Sequence, residues 1–302
     1  MSMLTEARSF SIDGHVLPAP PLAPGLYIVS TPIGHLKDIT IRALGTLACA
    51  DLVACEDTRV TAVLTRHYGI KAPLLPYHEH NAEQQRPRIL AALAENKVVA
   101  LVSDAGTPLL SDPGFRLVGA VVEARHPVFP VPGASALLSA LVTAALPTDA
   151  FLFAGFLPTR TVGRRKRLAE LAATPATLVF YESPHRTADA LADMAVVLGA
   201  DRPAVVAREL TKAFETVKRG TLGSLAAEFA AGPDPKGEIV ILAGPPVAAI
   251  PEADDVDSLL IGLLAEHPLK EAAKLAAETT GLSRRDLYQR ALELKDDPDD
   301  GA

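Results

Sequence analysis

The sequence has only two cysteines, Cys49 and Cys55, among its 302 residues. So sparse a pair argues against the disulfide scaffold of a small secreted protein. No second pair is present that could complete a zinc site. We therefore expect both thiols to be free and buried, in a protein of the reducing cytoplasm.

The sequence also lacks an uninterrupted hydrophobic span. The first residues show no basic region followed by an apolar run, so we expect no secretory signal. Residues 126–148 contain no Asp, Glu, Lys or Arg and are about long enough to cross a bilayer. Helix-breaking residues interrupt this segment: Pro127, Pro130, Pro132, Gly133 and Pro147. We expect a soluble protein without a membrane partner, in which residues 1–24 form a mostly disordered extension.

A positive net charge is missing as well, since the formal net charge is −7. Indiscriminate nucleic-acid binding normally needs a dominant positive field, so we expect no DNA partner, and any RNA contact must use a local basic patch. The strongest candidate patch is Arg160, Arg164, Arg165, Lys166 and Arg167. A solvated helix face is the alternative interpretation of this run. Weaker RNA-binding candidates are Arg59, Lys212, Arg284 and Arg285.

What the sequence does contain is an alternation of short β-rich runs and helical patterns, which is typical of an α/β fold. Runs such as 26–30, 51–56, 97–103 and 126–131 predict the strands of a first domain over residues 25–147. Five further runs between residues 151 and 244 predict a second α/β domain over residues 148–246. Because some of these runs follow one another without a helix, we expect a mixed sheet there.

A small helical unit is predicted after a proline-rich linker, over residues 254–296. Three short amphipathic segments occur there, with Gly281 as a candidate C-cap and Ser283 as a candidate N-cap. The order of a helix, a turn that contains glycine and a second helix resembles a helix-turn-helix. A plain helical bundle or dimer cap is the alternative.

Three loops follow predicted strands, at the sheet edge where ligands gather in open α/β folds. The first ends at Asp38, which is also well placed as a helix N-cap. The second spans residues 103–114, where Asp104 and Asp112 flank a flexible turn and suit either caps or a cationic or polyhydroxyl ligand. The third, at residues 131–136, directs a helix N-terminus above the sheet or serves close helix–sheet packing.

Metal binding is not predicted. His78 and His80 stand only two residues apart, which is not the helical spacing that places two imidazoles on one face.

Taken together, the motifs resemble those of a known family. They are TPIG with KDIT at 31–40, ACEDTR at 54–59, HEHN at 78–81, SDAGTPLLSDPG at 103–114, PGASA at 132–136, FAGFLP at 153–158, FYESPHR at 180–186 and ARELTKAFE at 207–215. In this order they look like the ribosomal RNA 2′-O-methyltransferase branch of the tetrapyrrole-methylase superfamily, over about residues 25–244. His35 departs from the asparagine usual in that branch.

The resemblance implies a tetrapyrrole-methylase-like fold of two α/β domains with S-adenosylmethionine in the cleft between them, a helical tail, and commonly a homodimer. It implies these cofactor-binding residues: Pro32, Asp104, Ala105, Gly106, Thr107, Ser111, Asp112, Pro113, Ser135, Ala136, Tyr181, Leu210 and Gly237. The G-x-G-x-x-G fingerprint of common dinucleotide folds is absent, in agreement with a different cofactor fold.

The implied reaction is methylation of a cytidine 2′-hydroxyl in the decoding region of 16S ribosomal RNA, free or in the small subunit. A ribose hydroxyl needs a nearby base and a phosphate anchor. Glu182 and Glu209 are candidate isolated bases, with Arg186 and Arg208 as anchors, and structural ion pairing is the alternative. Two other functions stay open, methylation of a tetrapyrrole or precorrin and non-catalytic RNA binding by an assembly factor.

Overall fold

The computed structural model describes residues 8–111, 114–246 and 253–296. The chain divides into two compact units, residues 1–246 and residues 247–302. The first unit contains an N-terminal hairpin and two five-stranded sheets. We call the sheet with strands between residues 25 and 131, together with its helices, the N-terminal half. The sheet with strands between residues 151 and 243, together with its helices, is the C-terminal half.

The hairpin corrects the expectation of a disordered extension over residues 8–24. Strands β1 (Ser9–Ile12) and β2 (His15–Pro18) pair antiparallel across Asp13 and Gly14, which have φ of 48° and 86°. An Asp-Gly pair with both φ values positive is the preferred two-residue hairpin turn. Phe10 is buried in one core cluster with Leu44 and Leu47, so burial of this side chain fixes the segment to the domain. Residues 1–7 lie outside the described residues.

The sheet of the N-terminal half is parallel throughout, in the order β5-β4-β6-β3-β7. Val98, Ala100 and Val102 of its central strand lie in one core cluster, while Val99 and Leu101 lie in another, as the alternation of side chains along a strand requires. The elements are β3 (Gly25–Val29), β4 (Leu52–Cys55), β5 (Leu74–Pro76), β6 (Val98–Val102), β7 (Val128–Val131), α1 (Ile41–Cys49), α2 (Thr58–His67), α3 (Ala82–Ala94), α4 (Phe115–Glu123) and α5 (Ala136–Thr143).

The sheet of the C-terminal half is mixed, as predicted, in the order β11-β10-β12-β9-β8. Only β8 and β9 pair in parallel, and the other neighbours are antiparallel. The elements are β8 (Phe151–Phe156), β9 (Thr177–Glu182), β10 (Pro203–Arg208), β11 (Thr216–Thr221), β12 (Ile239–Ala243), α6 (Thr161–Leu171), α7 (Thr187–Leu198) and α8 (Leu222–Ala231).

The two halves share a core. Leu137 and Leu141 of α5 lie in one buried cluster with Val205 and Leu242 of the second sheet. Near the loop after β3, the backbone N–H of His35 donates to Oγ1 of Thr211, with 3.2 Å between the two atoms. These contacts bring the carboxyl edge of the parallel sheet against loops of the mixed sheet.

The second unit has the three predicted helices, α9 (Ala253–Glu266), α10 (Leu269–Thr280) and α11 (Arg284–Asp296). Gly281 caps α10 at φ 71°, as the sequence predicts. Leu260, Ala276 and Leu287 form the centre of its small core. Within the described part of the chain, no helix is long and apolar enough to cross a membrane.

Both cysteines are free and buried, which confirms the expectation from their spacing. Sγ of Cys49 donates to the carbonyl oxygen of Pro20 at 2.8 Å, so this thiol also ties the segment after the hairpin to α1.

Candidate functional site

A cavity of about 410 Å³ lies where the two halves meet. That volume falls within the range of roughly 300–1,000 Å³ that ligand pockets occupy. Most of the predicted cofactor residues line it: Asp104, Ala105, Gly106, Thr107, Ser111, Ala136, Tyr181, Leu210 and Gly237. The structure therefore brings together residues that are more than 130 positions apart in the sequence.

Hydrogen bonds tie together the three loops at the carboxyl edge of the parallel sheet. Thr31 and Gly106 exchange backbone hydrogen bonds of 2.9 and 3.1 Å. The hydroxyl of Thr107 lies 3.0 Å from the hydroxyl of Ser30 and donates to the carbonyl oxygen of Ala134 at 3.1 Å. Gly106 has φ 77°, a conformation that side chains disfavour. These contacts fix the floor of the cavity before any ligand binds.

Asp104 is positioned by the ACEDTR motif. Its Oδ1 accepts from the backbone N–H of Asp57 at 2.9 Å. Asp104 also lines a neighbouring cavity of about 330 Å³, which contains Pro32 and shares Ile33 and Ala105 with the first. The Asp104 carboxylate thus stands where the two cavities meet.

Four residues other than glycine adopt positive φ on the loops beside the cavity. Leu109 and Ser111 have φ of 73° and 63°, and Glu209 and Thr211 have φ of 53° and 64°. Such conformations cost about 1–3 kcal/mol each and cluster at functional sites. Their position supports the assignment of this cavity as the functional site.

Glu182 is the one predicted catalytic residue that lines the cavity. Its side chain is nearly inaccessible, at 1% exposed. Oε1 accepts from the backbone N–H of Ser183 at 2.8 Å, and Oε2 accepts from Nη2 of Arg186 at 3.2 Å. Arg186 also donates to the carbonyl oxygen of Leu157, while its Nε has no hydrogen-bond partner among the described residues. The expectation of an isolated carboxylate is wrong here, because Glu182 is ion-paired.

Glu209 is not isolated either. Its Oε1 accepts from Nζ of Lys212 at 2.8 Å and from the backbone N–H of Glu238 at 3.0 Å. The hydrogen bond from Lys212 holds the pKa of Glu209 below its ordinary value, which makes the carboxylate a weaker base. Structural pairing, the alternative left open by the sequence, describes this residue.

Arg208 likewise serves the local backbone. Its guanidinium donates to the carbonyl oxygens of Lys236 and Phe214, both at 3.0 Å, and to the hydroxyl of Thr216 at 3.2 Å. These bonds use three of its five N–H donors and hold the guanidinium against the local backbone, which favours the structural alternative over a phosphate anchor.

Other predicted cofactor residues fall outside the cavity. Ser135 is buried and caps α5 by accepting from the backbone N–H of Leu138, and Pro32 lines only the neighbouring cavity. Asp112 and Pro113 lie outside the described residues. Lining residues that were not predicted are Ile33, Leu110, Phe156, Ser183, Pro184, Ala207, Glu238, Ile239 and Val240. Several of these adjoin predicted motifs at strand ends, which is the signal that would have found them.

The basic run on α6 divides into buried and exposed members. Arg164 is only 3% exposed, and its Nε donates to Oδ2 of Asp193 at 2.6 Å. The assignment of Arg164 to RNA binding is therefore wrong. Arg164, Leu168 and Leu171 are the buried residues of α6, and their spacing of four and three is the helical signal for a buried face.

The remaining basic candidates are exposed to different degrees. Arg160 and Lys166 are exposed, Arg165 pairs with Asp193, and Arg167 pairs with Glu170. Arg59 is 89% exposed beside Asp57, while Lys212 is held by Glu209 and Glu238. Arg284 and Arg285 are exposed at the start of α11. Their contacts with RNA stay predictions.

The cavity fits a flat cation with a polar tail. Ile33, Leu210 and Val240 supply apolar walls, and the ring of Phe156 packs 5.7 Å from that of Tyr181. The lining carboxylates are Asp104, Glu182 and Glu238. Glu182 and Glu238 are paired with Arg186 and Lys212, so Asp104 is the best placed of the three to complement a positive charge. Among the described residues, no group of three His, Cys, Asp or Glu side chains is arranged to hold a metal ion.

Comparison with known proteins agrees with this geometry. Residues 25–226 match the family described as Tetrapyrrole (Corrin/Porphyrin) Methylases, and residues 250–295 match the RsmI C-terminal HTH domain. The chain belongs to the tetrapyrrole methylase family. This family membership confirms the predicted fold class, including the helix-turn-helix interpretation of the tail.

Two curated relatives are similar over nearly their whole length. The chain is 54% identical to the Ribosomal RNA small subunit methyltransferase I of Mesorhizobium japonicum, over 94% of this chain and 97% of that protein. It is 48% identical to the protein of the same name from Escherichia coli O157:H7, over 89% and 94%.

Solved structures share the fold. A cobalt precorrin-4 methyltransferase superposes with a TM-score of 0.56 at 23% identity, over 72% of this chain and 94% of that chain. A uroporphyrin-III C-methyltransferase from Thermus thermophilus, in complex with S-adenosyl homocysteine, gives 0.52 at 23% identity, over 72% and 96%. At this identity the likeness shows the fold alone.

Proposed function

We propose that this chain transfers a methyl group from S-adenosylmethionine to small-subunit ribosomal RNA, at the 2′-hydroxyl of a cytidine in the decoding region. The single observation that supports a methyl donor in the cavity is the set of carboxylates and small-residue loops that faces one apolar space. The relatives named as small-subunit ribosomal RNA methyltransferases support the substrate class. The cytidine and its 2′-oxygen rest on the motif resemblance.

The cofactor, when bound, supplies a methyl group already activated as a sulfonium. The loop from Asp104 to Thr107 and the N-terminus of α5 would hold it from one side, and Tyr181, Leu210 and Gly237 from the other. Because such a methyl group needs little further activation, the main contribution of the protein is to hold the acceptor oxygen in line.

Asp104 is the best-placed acceptor of the hydroxyl proton. A general base needs an oxygen that is free to accept; Oδ1 of Asp104 binds the N–H of Asp57, and Asp104 lines both cavities. Both oxygens of Glu182 already accept hydrogen bonds, from Ser183 and Arg186. We assign Glu182 to holding the cavity wall in place, with Arg186 as its ion-pair partner.

Two substitutions separate these roles. Asp104→Asn should lower kcat at saturating RNA by about 10²-fold or more, in the range that positioned general bases contribute. Glu182→Gln should also lower turnover more than RNA affinity, but by less than Asp104→Asn does, because its carboxylate is already ion-paired. A larger loss of turnover in Glu182→Gln would make Glu182 the base.

The function is tested by methyl transfer from labelled cofactor to three acceptors: unmodified small subunits, free small-subunit RNA and a uroporphyrinogen. We expect transfer to the RNA substrates, mapped to one cytidine. A deoxycytidine at that position should bind and remain unmethylated, because the acceptor oxygen is gone. Methylation of the deoxy substrate would refute the 2′-oxygen assignment, transfer to the uroporphyrinogen alone would favour the tetrapyrrole alternative, and absence of cofactor binding would favour an assembly factor.

A further inference from the structure

A second cavity, of about 550 Å³, lies in the N-terminal half and shares no lining residue with the first. It is formed by the segment before α3, the first turns of α3 and the start of α4. Its lining side chains include Glu79, His80, Glu83, Arg86, Phe115 and Arg116. None of these has a role in the cofactor site.

An exposed aromatic ring borders this cavity. Phe115, the first residue of α4, is 81% exposed, although burial of such an apolar side chain would stabilise the protein. Within the chain, this ring gains little from its position. A flat partner stacked on it would recover that burial, and stacking on aromatic rings is how proteins hold splayed bases of single-stranded RNA.

Unsatisfied polar atoms lie in the same place. Among the described residues, Nε of Arg86, Oε1 of Gln85 and Nδ1 of His78 are buried and have no hydrogen-bond partner. Arg86 lines the cavity directly, and the other two residues flank lining positions. Buried polar groups are normally paired, so these three atoms leave hydrogen-bonding capacity unused beside the cavity.

The charges around the cavity fit a nucleotide better than a bare anion. Arg86 and Arg116 are suited to phosphate oxygens, whereas Glu79 and Glu83 would repel an isolated phosphate. The same carboxylates accept hydrogen bonds from exocyclic amino groups of a base. A nucleotide can place its phosphate against the two arginines and the amino group of its base against the two carboxylates.

We propose that this second cavity binds a nucleotide of the RNA substrate next to the methylated one, with the base stacked on Phe115 and the phosphate held by Arg116 and Arg86. This inference rests on the proposed function. Residues 104–107, 110 and 111 line the first cavity and residues 114–116 line the second, so the two sets are neighbours in the sequence.

The test uses the full chain and labelled, unmodified small-subunit RNA, with Kd from filter binding and KM and kcat from methyl transfer. Phe115→Leu, which keeps apolar area but removes the π face, should raise the Kd and KM about fivefold or more and leave kcat at saturation unchanged. Phe115→Tyr should bind as the parent does. Arg116→Gln should raise the Kd and lower the salt dependence, the slope of log K against log salt, by about one.

The matched control is Arg66→Gln, which removes an exposed arginine at the end of α2 that lines neither cavity. Cofactor affinity and the thermal midpoint should be unchanged in every variant, because Phe115 and Arg116 are exposed. If Phe115→Leu and Arg116→Gln bind RNA as Arg66→Gln does, or lose cofactor and RNA affinity together, the second site is refuted. If the parent itself does not methylate the RNA, the proposed function fails, and the binding measurements still decide whether this cavity holds RNA.

Discussion

The buried pair of Arg164 and Asp193 gives the sharpest test of how the basic run on α6 is used. Both side chains are 4% exposed, and Asp193 accepts from Nε of Arg164 and Nε of Arg165, each at 2.6 Å. In Asp193→Asn, Arg164 would keep only neutral partners, the carbonyl oxygen of Thr159 at 3.2 Å and the hydroxyl of Thr161 at 3.5 Å. A buried guanidinium without a counter-charge is costly.

The expected loss in free energy of unfolding is about 3–5 kcal/mol for Asp193→Asn, the usual cost of removing one partner of a buried ion pair. Arg165 is half exposed, so Arg165→Gln should cost no more than about 1 kcal/mol. Lys166→Gln should stay within about 0.5 kcal/mol. The double variant Arg164→Met with Asp193→Leu should recover most of the loss, because it leaves no buried charge unpaired.

Urea unfolding followed by far-ultraviolet circular dichroism measures these differences, since the chain has no tryptophan for fluorescence. RNA affinity of each folded variant is measured in parallel. Equal stability of Asp193→Asn and the parent would refute the buried-pair reasoning. A specific loss of RNA affinity in the stable double variant would return Arg164 to the RNA interface.

Four further outcomes follow from the same contacts. Ala136→Phe should abolish cofactor binding by calorimetry while circular dichroism stays native, because Ala136 lines the cavity at the start of α5. Burial, and then the nearby charge of Asp104, raises the pKa of Glu56 above its ordinary value. Its ionised form therefore destabilises the fold, so Glu56→Gln should raise the thermal midpoint at pH 7, with the gain shrinking as the pH falls toward about 4.5. Phe10→Ala should lower the free energy of unfolding, measured in urea, by about 3–5 kcal/mol, because Phe10 is buried in the core. If the hairpin did not pack on the domain, the substitution would leave this free energy unchanged. Charge reversal at exposed Lys166 and Arg167 should weaken RNA binding with a smaller salt slope and unchanged cofactor affinity; identical binding at every salt concentration would leave them a solvated face.

The fold was largely predictable because most of its strands are short apolar runs separated by clear helical or turn patterns. The buried strand β6 is apolar at every position, and the strands β8 and β9 begin at the predicted residues. By contrast, β5 has only three residues and ends at Pro76. Because this pattern is so short, the sequence could not distinguish the strand from a loop. The Asp-Gly turn of the hairpin was a recognisable signal that the surrounding prolines concealed.

The sequence predicted which loops form the site, but it did not predict which side chains pair within it. The family resemblance implied Asp104, Tyr181 and Gly237 as cofactor-binding residues, and all three line the cavity. Partners such as Arg186 for Glu182, or Lys212 for Glu209, depend on the direction of each side chain in the folded chain. Sequence spacing therefore could not separate a free carboxylate from a paired one.

The strained backbone explains why the cavity depends on both halves. Leu109 and Ser111 belong to the parallel sheet's loop, and Thr211 to a loop of the mixed sheet. Side chains at positive φ cost free energy locally, so these conformations persist only where surrounding contacts determine them. Here the contacts cross between halves: Thr211 accepts from the backbone of His35, and a side chain at Gly155 would meet the hydroxyl of Ser111. These contacts between the halves add to those within each half, such as the ion pair of Glu209 with Lys212, so both halves together hold the loops around the cavity.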